Sequence, residues 1–333
     1  MSFLYVDEDG STVGIEKNQC VVKYAGERKK AVPIESLEGI TIMGYTQVTA
    51  QCTTRCFKLG IPICYVSKGG TYFGRLQSTG HVNVERQRQQ CKLYDTEFAL
   101  ELARKILRAK IKNQSVVLKR YEKSKDIKLD DIHKMMNVCS KKIESADEIA
   151  QMIGFEGQAA KYYFRGLSKC IKRGYGFRGR SRRPPKDKFN SMISLGYSIL
   201  MNEIVCELET KGLNPYYGFI HRDLEKHPTL ASDLLEEWRA VIVDSVVMGM
   251  INGNEMQSQD FRKDEQTKGC YLQKSGLNKY LTKLERRLQN EVNYLNYVDY
   301  PVSFRGAILL QANQLAKAIE AEDVSLYEPI QIR

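Results

Sequence analysis

The spacing of apolar side chains along this chain changes character near residue 90. Before that point apolar positions come in short β-branched and aromatic runs, "SFLYV", "STVGIEK", "QCVVKYAG" and "GITIMG", separated by Asp-Gly or Gly. Runs of that length, punctuated in that way, predict strands and turns. A short helix is expected near 47–59, then a buried strand in "GIPICYVS" and a turn with a further strand in "GGTYFGRL". The polar stretch "QSTGHVNVERQRQQCK" breaks the pattern. The chain therefore divides into a β-rich unit over 1–80, a linker over 81–92 and a helical unit over 93–333.

From about residue 93 the period is helical. "DTEFALELARKILRAKIKNQSVVLKRY" sets Phe98, Leu102, Ile106 and Leu107 on one face, with Arg104, Lys105, Arg108, Lys110 and Lys112 read as an exposed basic surface around it. Ser145 with Glu148 makes a capping-box pattern ahead of the next helix. A third helix is expected from Asn190, as its cap, to Gly212, a residue suited to the C′ position. Further helices are expected over about 230–251, 276–292 and 301–321. The fold class is α+β, a small N-terminal β-rich domain followed by a larger all-α domain.

Composition narrows the partners. Among 333 residues, 42% are hydrophobic and 27% charged, as in a core-forming globular chain, and 51 Lys+Arg against 40 Asp+Glu leave a net charge of +11. Such a surplus favours a polyanion, nucleic acid before an acidic membrane. The nine cysteines form no CxxC pair, and Cys52, Cys56 and Cys64 lack the second half of a zinc site, so they read as reduced, mostly buried small hydrophobes. "MSFLYVDEDG" has neither a basic nor an apolar leader region, and no apolar run approaches membrane-spanning length, so a cytoplasmic protein with no membrane partner is expected.

Chemistry gathers in three places. "GFIHRDLEKHPTLASDLLEEWR", residues 218–239, joins a histidine loop to a helix entered at Pro228, with Thr229 or Ser232 as cap. Leu234, Leu235, Trp238, Val241 and Ile242 share one face, while Asp233, Glu236, Glu237 and Asp244 fall opposite, the pattern of a solvated stripe. Val243 and Val247 border Glu236, however, so that edge is expected to be covered, and a covered carboxylate needs a cation, a donor or a metal. His221 can reach such a site from the loop; His227 does not pair with it at HExxH spacing, which argues against a zincin.

The second place is "IGFEGQAAKYYFRGL", where Glu156 lies between Gly154 and Gly157 in a helix continued by Ala159, Ala160, Tyr163 and Phe164. Small neighbours permit close approach of a backbone or a ligand. The third is "KRGYGFRGRSRRPPKDKFNSMISLGY". Its Arg173, Arg178, Arg180, Arg182, Arg183 and Lys186 suit phosphates, and the interleaved Tyr175 and Phe177 suit unstacked bases.

Taken together these motifs resemble the CRISPR-associated protein one family, the spacer-acquisition integrase and metal-dependent endonuclease. "GFEGQAAKYYF", "RRPPKDKFNSMISLGYSIL", "NPYYGFIH" with "LASDLLEEWR", and "FRGAILLQANQLAKAI" with "LYEP" occur in the family's order. One departure is the loop "RDLEKHPT", which leaves the ligand positions intact. The resemblance implies that Glu156, His221 and Glu236 hold Mg²⁺ or Mn²⁺, that Asp233 is an accessory acid, and that Tyr197 is a helix tyrosine near the site. It also implies a homodimer formed through the β-rich domain and a small second CRISPR-associated adaptation protein bridging two dimers. The implied substrates are double-stranded DNA with single-stranded 3′ ends and CRISPR repeat DNA. Two other readings of the residues stand beside this one: a structure-specific nuclease on branched DNA, and a non-catalytic basic nucleic-acid scaffold.

Overall fold

The computed structural model describes residues 2–68, 71–172, 174–293, 295 and 297–332. In the first unit, residues 1–82, the predicted runs become strands β1 (Ser2–Val6), β2 (Thr12–Glu16), β3 (Gln19–Tyr24), β4 (Glu27–Pro33), β5 (Leu37–Met43) and β6 (Gln47–Val48). Helix α1 (Ala50–Leu59) and strands β7 (Ile63–Val66) and β8 (Tyr72–Leu76) follow. They form two four-stranded sheets, ordered β1-β5-β7-β8 and β4-β3-β2-β6. β5 lies between β1 and β7 and is parallel to both, which is why "LEGITIM" is apolar almost throughout rather than alternating. Leu4, Val13, Cys20, Ile40, Cys52, Cys56 and Ile63 bring both sheets and α1 onto one core. Thr49 caps α1 by accepting from the Cys52 amide, and Gly60, at φ 70°, closes it in the left-handed conformation.

The second unit, residues 83–333, begins earlier than the sequence pattern places it. Residues 84–92, expected as a linker, form helix α2 (Val84–Lys92), capped by Asn83. Polar residues build this helix because they have partners within the unit: Arg86 Nε donates to Glu320 at 3.0 Å, and Gln90 Nε2 donates to the carbonyls of Asn214 and Tyr217.

The helical unit is arranged around α3 (Glu97–Lys125), which packs against α4 (Asp130–Glu144), α5 (Ile149–Cys170) and α7 (Thr229–Trp238). Phe98, Leu102, Ile106 and Leu107 are buried on α3 as expected, but so is Lys110, which the sequence reading placed on the exposed basic face. Ser145 also departs from expectation. Its hydroxyl donates back to the carbonyls of Lys141 and Lys142, so it closes α4, and α5 starts at Ile149 without a side-chain cap. Helix α6 (Lys188–Thr210) is capped by Asp187, which accepts from the Asn190 amide, and Asn190 lies buried inside the helix instead of at its start. Thr229 is likewise no cap: its hydroxyl donates to the Tyr216 carbonyl at 2.6 Å and accepts from Gly218 N.

Helix α7 continues without interruption through a π-helical segment, 239–244, into α8 (Ser245–Asn252). Two short antiparallel pairs, β9 (Phe261–Lys263) with β10 (Cys270–Leu272) and β11 (Glu291–Val292) with β12 (Val302–Ser303), flank α9 (Lys274–Gln289). Helix α10 (Phe304–Ala321) then carries Arg305, whose guanidinium donates to Glu203 on α6 and Glu285 on α9 and so ties three helices at one point. The result is the α+β architecture expected, strands first and helices after. Among the described residues no helix is long and apolar enough to cross a membrane. All nine cysteines are free thiols, and only Cys91 is exposed.

The C-terminal segment is locked onto this frame by buried polar groups. Glu237 accepts from Tyr327 Oη at 2.7 Å, Ile330 N at 2.8 Å and Gln311 Nε2 at 2.5 Å. Asn113 on α3 donates to the Ile330 carbonyl and accepts from Ile332 N. Asn113→Ala leaves a buried amide and a buried carbonyl without partners and should cost ~2–4 kcal/mol. Hydrogen exchange will then show the Ile330 and Ile332 amides opening well before those of α3.

Candidate active site

His221 is positioned by a carboxylate one turn into the helix that follows it. The loop before α7 has no strand or helix to satisfy its amides, and buried amides require acceptors. Asp233, 1% exposed, supplies them by accepting from Phe219 N at 2.7 Å, Ile220 N at 3.0 Å, His221 N at 3.1 Å and His221 Nδ1 at 2.6 Å. An ionised carboxylate only accepts, so in the neutral imidazole the proton sits on Nδ1 and Nε2 carries the lone pair. That Nε2 faces Glu236 Oε1 at 3.7 Å. Burial opposes the charged imidazole, but the Asp233 hydrogen bond and the Asp233 and Glu236 charges outweigh it and raise the His221 pKa.

The stripe read as solvated is inside the protein. Asp233, Glu236, Glu237 and Asp244 are 1%, 6%, 0% and 0% exposed, because α3, α6 and the C-terminal segment cover the helix on the sides away from its leucines. Each acid has its own partner. Glu236 Oε2 lies in ion-pair contact with Lys110 Nζ and 3.2 Å from Arg239 Nε, neither aligned as a hydrogen bond, so the oxygen is a buried acceptor flanked by charge. Burial alone would push its pKa up; the Arg239, Lys110 and His221 charges hold it well below the usual carboxylate range. Glu156, on the neighbouring α5, meets the same ammonium, Lys110 Nζ to Oε1 at 2.5 Å.

Tyr197 stands behind this cluster. Its hydroxyl donates to Asp244 at 2.5 Å, and its ring lies between Arg180 at 5.4 Å and Arg239 at 4.7 Å. Tyr163 donates to the other Asp244 oxygen at 2.8 Å. Burial raises the Asp244 pKa to about 6 against the lowering effect of these two hydroxyls. Tyr197 thus reaches the acids through Arg239.

The structure brings together Glu156, His221, Glu236 and Asp233, and adds Lys110 and Arg239, which the sequence reading missed. Lys110 follows Ile106 by four residues and Leu107 by three, so its place on the apolar face of α3 is visible in the spacing. A cleft of about 400 Å³ between the starts of α3 and α5 reaches His221 and is lined also by Thr96, Glu97, Ile153 and Phe219. On the helix that carries Glu156, a Cβ on Gly154 or Gly157 would meet nothing within 4 Å, so no backbone approaches these glycines closely and the room there is open.

Of the basic stretch, Arg178, Arg182, Arg183 and Lys186 are exposed, and Arg173 lies outside the described residues. Arg180 is turned inward, donating to Ser181 O, Asn190 Oδ1 and Ser194 Oγ. Phe177 is not available to a base, since it is buried between Phe164 and Phe189. Tyr175 is half-buried and donates to Met256 O.

Among the described residues no three His, Cys, Asp or Glu side chains already stand at metal-coordinating spacing. The donor types nevertheless suit a hard divalent cation: two carboxylates from separate helices, one with a buried oxygen lacking a donated hydrogen bond, and an imidazole lone pair fixed by a carboxylate.

Fold and site define a class: a strand-rich unit followed by a helical unit that joins two acids and an oriented histidine around buried charge. The family model described as "CRISPR associated protein Cas1" matches residues 4–286. A CRISPR-associated endonuclease Cas1 of Mycobacterium tuberculosis (strain CDC 1551 / Oshkosh) is 32% identical over 319 residues, 96% of this chain and 94% of that one. Among solved structures, a casposase bound to integration product superposes with a TM-score of 0.86 at 22% identity, over 98% of this chain and 94% of that one. A Cas6-RT-Cas1–Cas2 complex superposes at 0.84 and 24% identity, over 100% of this chain and 36% of that one. The chain belongs to the CRISPR-associated Cas1 endonuclease family.

His221 and the Asp233 that positions it should separate in stability measurements. Asp233→Ala strands three amides and the imidazole together and should cost about 3–5 kcal/mol. His221→Ala, at a side chain 36% exposed, should change stability by no more than about 1 kcal/mol. Urea unfolding of both variants makes the comparison.

Proposed function

We propose that this chain is the integrase and endonuclease of CRISPR adaptation, inserting short duplex DNA with single-stranded 3′ ends into a repeat array. The observation that carries this reading is the meeting of Glu156, Glu236 and the Asp233-oriented His221 across three separate parts of the helical unit. Glu156, His221 and Glu236 are the residues that would hold Mg²⁺ or Mn²⁺. Such a cation, when bound, neutralises charge on the transferring phosphate and polarises the leaving oxygen.

The protein's own groups do the remaining work. Asp233 keeps the imidazole in one tautomer and one orientation, so its lone pair needs no reorganisation. Arg239, whose guanidinium lies over the Tyr197 ring, contributes fixed positive charge beside Glu236. Tyr197 acts as a positioning residue, anchored by Asp244. Exposed Arg178, Arg182, Arg183 and Lys186 supply phosphate contacts without base reading, in keeping with the +11 net charge.

Partners follow from the relatives. The Cas1–Cas2 assembly named for one structural neighbour supports a Cas2-type partner, which we take to be a small second adaptation protein that bridges two homodimers, and the casposase with its integration product supports strand transfer rather than hydrolysis alone. The compartment is the cytoplasm, where the array and the invading DNA meet.

Glu156→Ala, His221→Ala and Glu236→Ala should each abolish Mn²⁺-dependent strand transfer into a repeat while leaving duplex binding within about threefold. Full transfer by Glu156→Ala would end this reading. Transfer that proceeds equally well without the small partner, or cleavage of branched DNA alone, would favour a general structure-specific nuclease. The doubly substituted Arg182→Ala/Arg183→Ala protein should bind DNA with a shallower dependence of log K on log salt, by up to about two units of slope. An unchanged slope places the phosphate contacts elsewhere.

A further inference from the structure

The residue that least fits an ordinary helix in this site is Lys110. It lies on the apolar face of α3, 7% exposed, where a methionine or leucine would pack at lower cost. Its Nζ bridges two carboxylates from different helices, Glu156 on α5 at 2.5 Å and Glu236 on α7. Among the described residues these two acids are its only polar contacts. We propose that Lys110 is a built-in counterion that holds Glu156 and Glu236 together in the metal-free protein, and that a divalent cation binds by displacing its ammonium from between them. This rests on the reading of Glu156, His221 and Glu236 as cation ligands.

Three features support exchange rather than coexistence. Lys110 Nζ stands 2.5 Å from Glu156 Oε1, whereas Mg²⁺ binds oxygen at about 2.0–2.1 Å, so acids spaced around a lysine must draw inward to coordinate. This accounts for the lack of a ready coordination sphere among the described residues. A monovalent and a divalent cation also repel strongly when both are confined between the same two acids in a poorly solvated site. Finally, the ammonium has somewhere to go. Lysine is a compact charge on a flexible stem, so its ammonium can swing aside while the stem stays packed on α3, and a Cβ on Gly157, next to Glu156, would meet nothing within 4 Å. Arg239, the other cation at Glu236, is pinned over the Tyr197 ring and is not the group that exchanges.

The test uses the full chain with Mn²⁺ alone as the probe, binding being followed by the electron paramagnetic resonance of free Mn²⁺. Lys110→Met keeps the length and apolar stem of the side chain and removes its charge. It should bind Mn²⁺ at least about tenfold more tightly than wild type. It should also melt at a lower temperature in EDTA and gain more from added Mn²⁺. A folded Lys110→Met protein with equal or weaker Mn²⁺ affinity overturns the proposal. Should that variant not fold, nitrogen-15 NMR of the wild-type lysine ammonium groups decides. The sheltered Lys110 signal should disappear at saturating Mg²⁺, and its persistence overturns the proposal. His221→Ala separates this from the underlying reading. If wild type binds Mn²⁺ and His221→Ala does not, the cation site stands whatever Lys110 does; if His221→Ala binds as wild type does, the site assignment fails and the proposal with it.

Discussion

Four carboxylates on one buried helical rod set most of what surrounds it. α7 and the π-helical turn that continues it carry Asp233, Glu236, Glu237 and Asp244 out of contact with water, and each must find donors or cations to offset its desolvation. Asp233 takes the amides of the histidine loop, Glu236 takes Lys110 and Arg239, Glu237 takes the C-terminal segment, and Asp244 takes two tyrosines. Loop, central helix, tail and α6 are thereby all tied to the same rod.

This arrangement separates two tasks that look alike in composition. Glu237 and Asp244 accept their hydrogen bonds from neutral donors and serve the frame. Glu236 is surrounded by charge, with an imidazole on one side and a second acid across an ammonium, and is the one of the four that faces the other proposed ligands. The π-helical segment supports the division: its i→i+5 pattern ends the 3.6-residue period, so Asp244 turns toward Tyr163 and Tyr197 rather than extending the acidic face toward Glu156. Rigid support of the first group allows the second to sit in a cluster whose charges can exchange.

Much of the fold was legible because it rests on local pattern. The glycine-punctuated strands, the long period of α3 and the helical rod from 229 to 252 all follow from the spacing of apolar residues. Capping was less legible: Ser145 turns back onto the last carbonyls of α4, partners outside their helices claim the side chains of Thr229 and Asn190, and Asp187 caps α6 instead. α2 was read as linker because its residues are polar, and only partners distant in sequence, Asn214, Tyr217 and Glu320, make that segment a packed helix.

By itself the sequence determined the order of strands and helices, the basic balance, and through its motifs the family and the identity of Glu156, His221, Glu236 and Asp233 as the residues to watch. Tertiary structure alone decided what those residues do to one another. An acidic stripe has the same periodicity whether water or another helix covers it, so burial of all four acids on the rod could not be read from spacing. Lys110 lies 46 residues from Glu156 and 126 from Glu236, and no local rule connects an ammonium on one helix to carboxylates on two others. Their meeting depends on how α3, α5 and α7 pack, because charge pairing in a desolvated interior is set by distance in space and not along the chain.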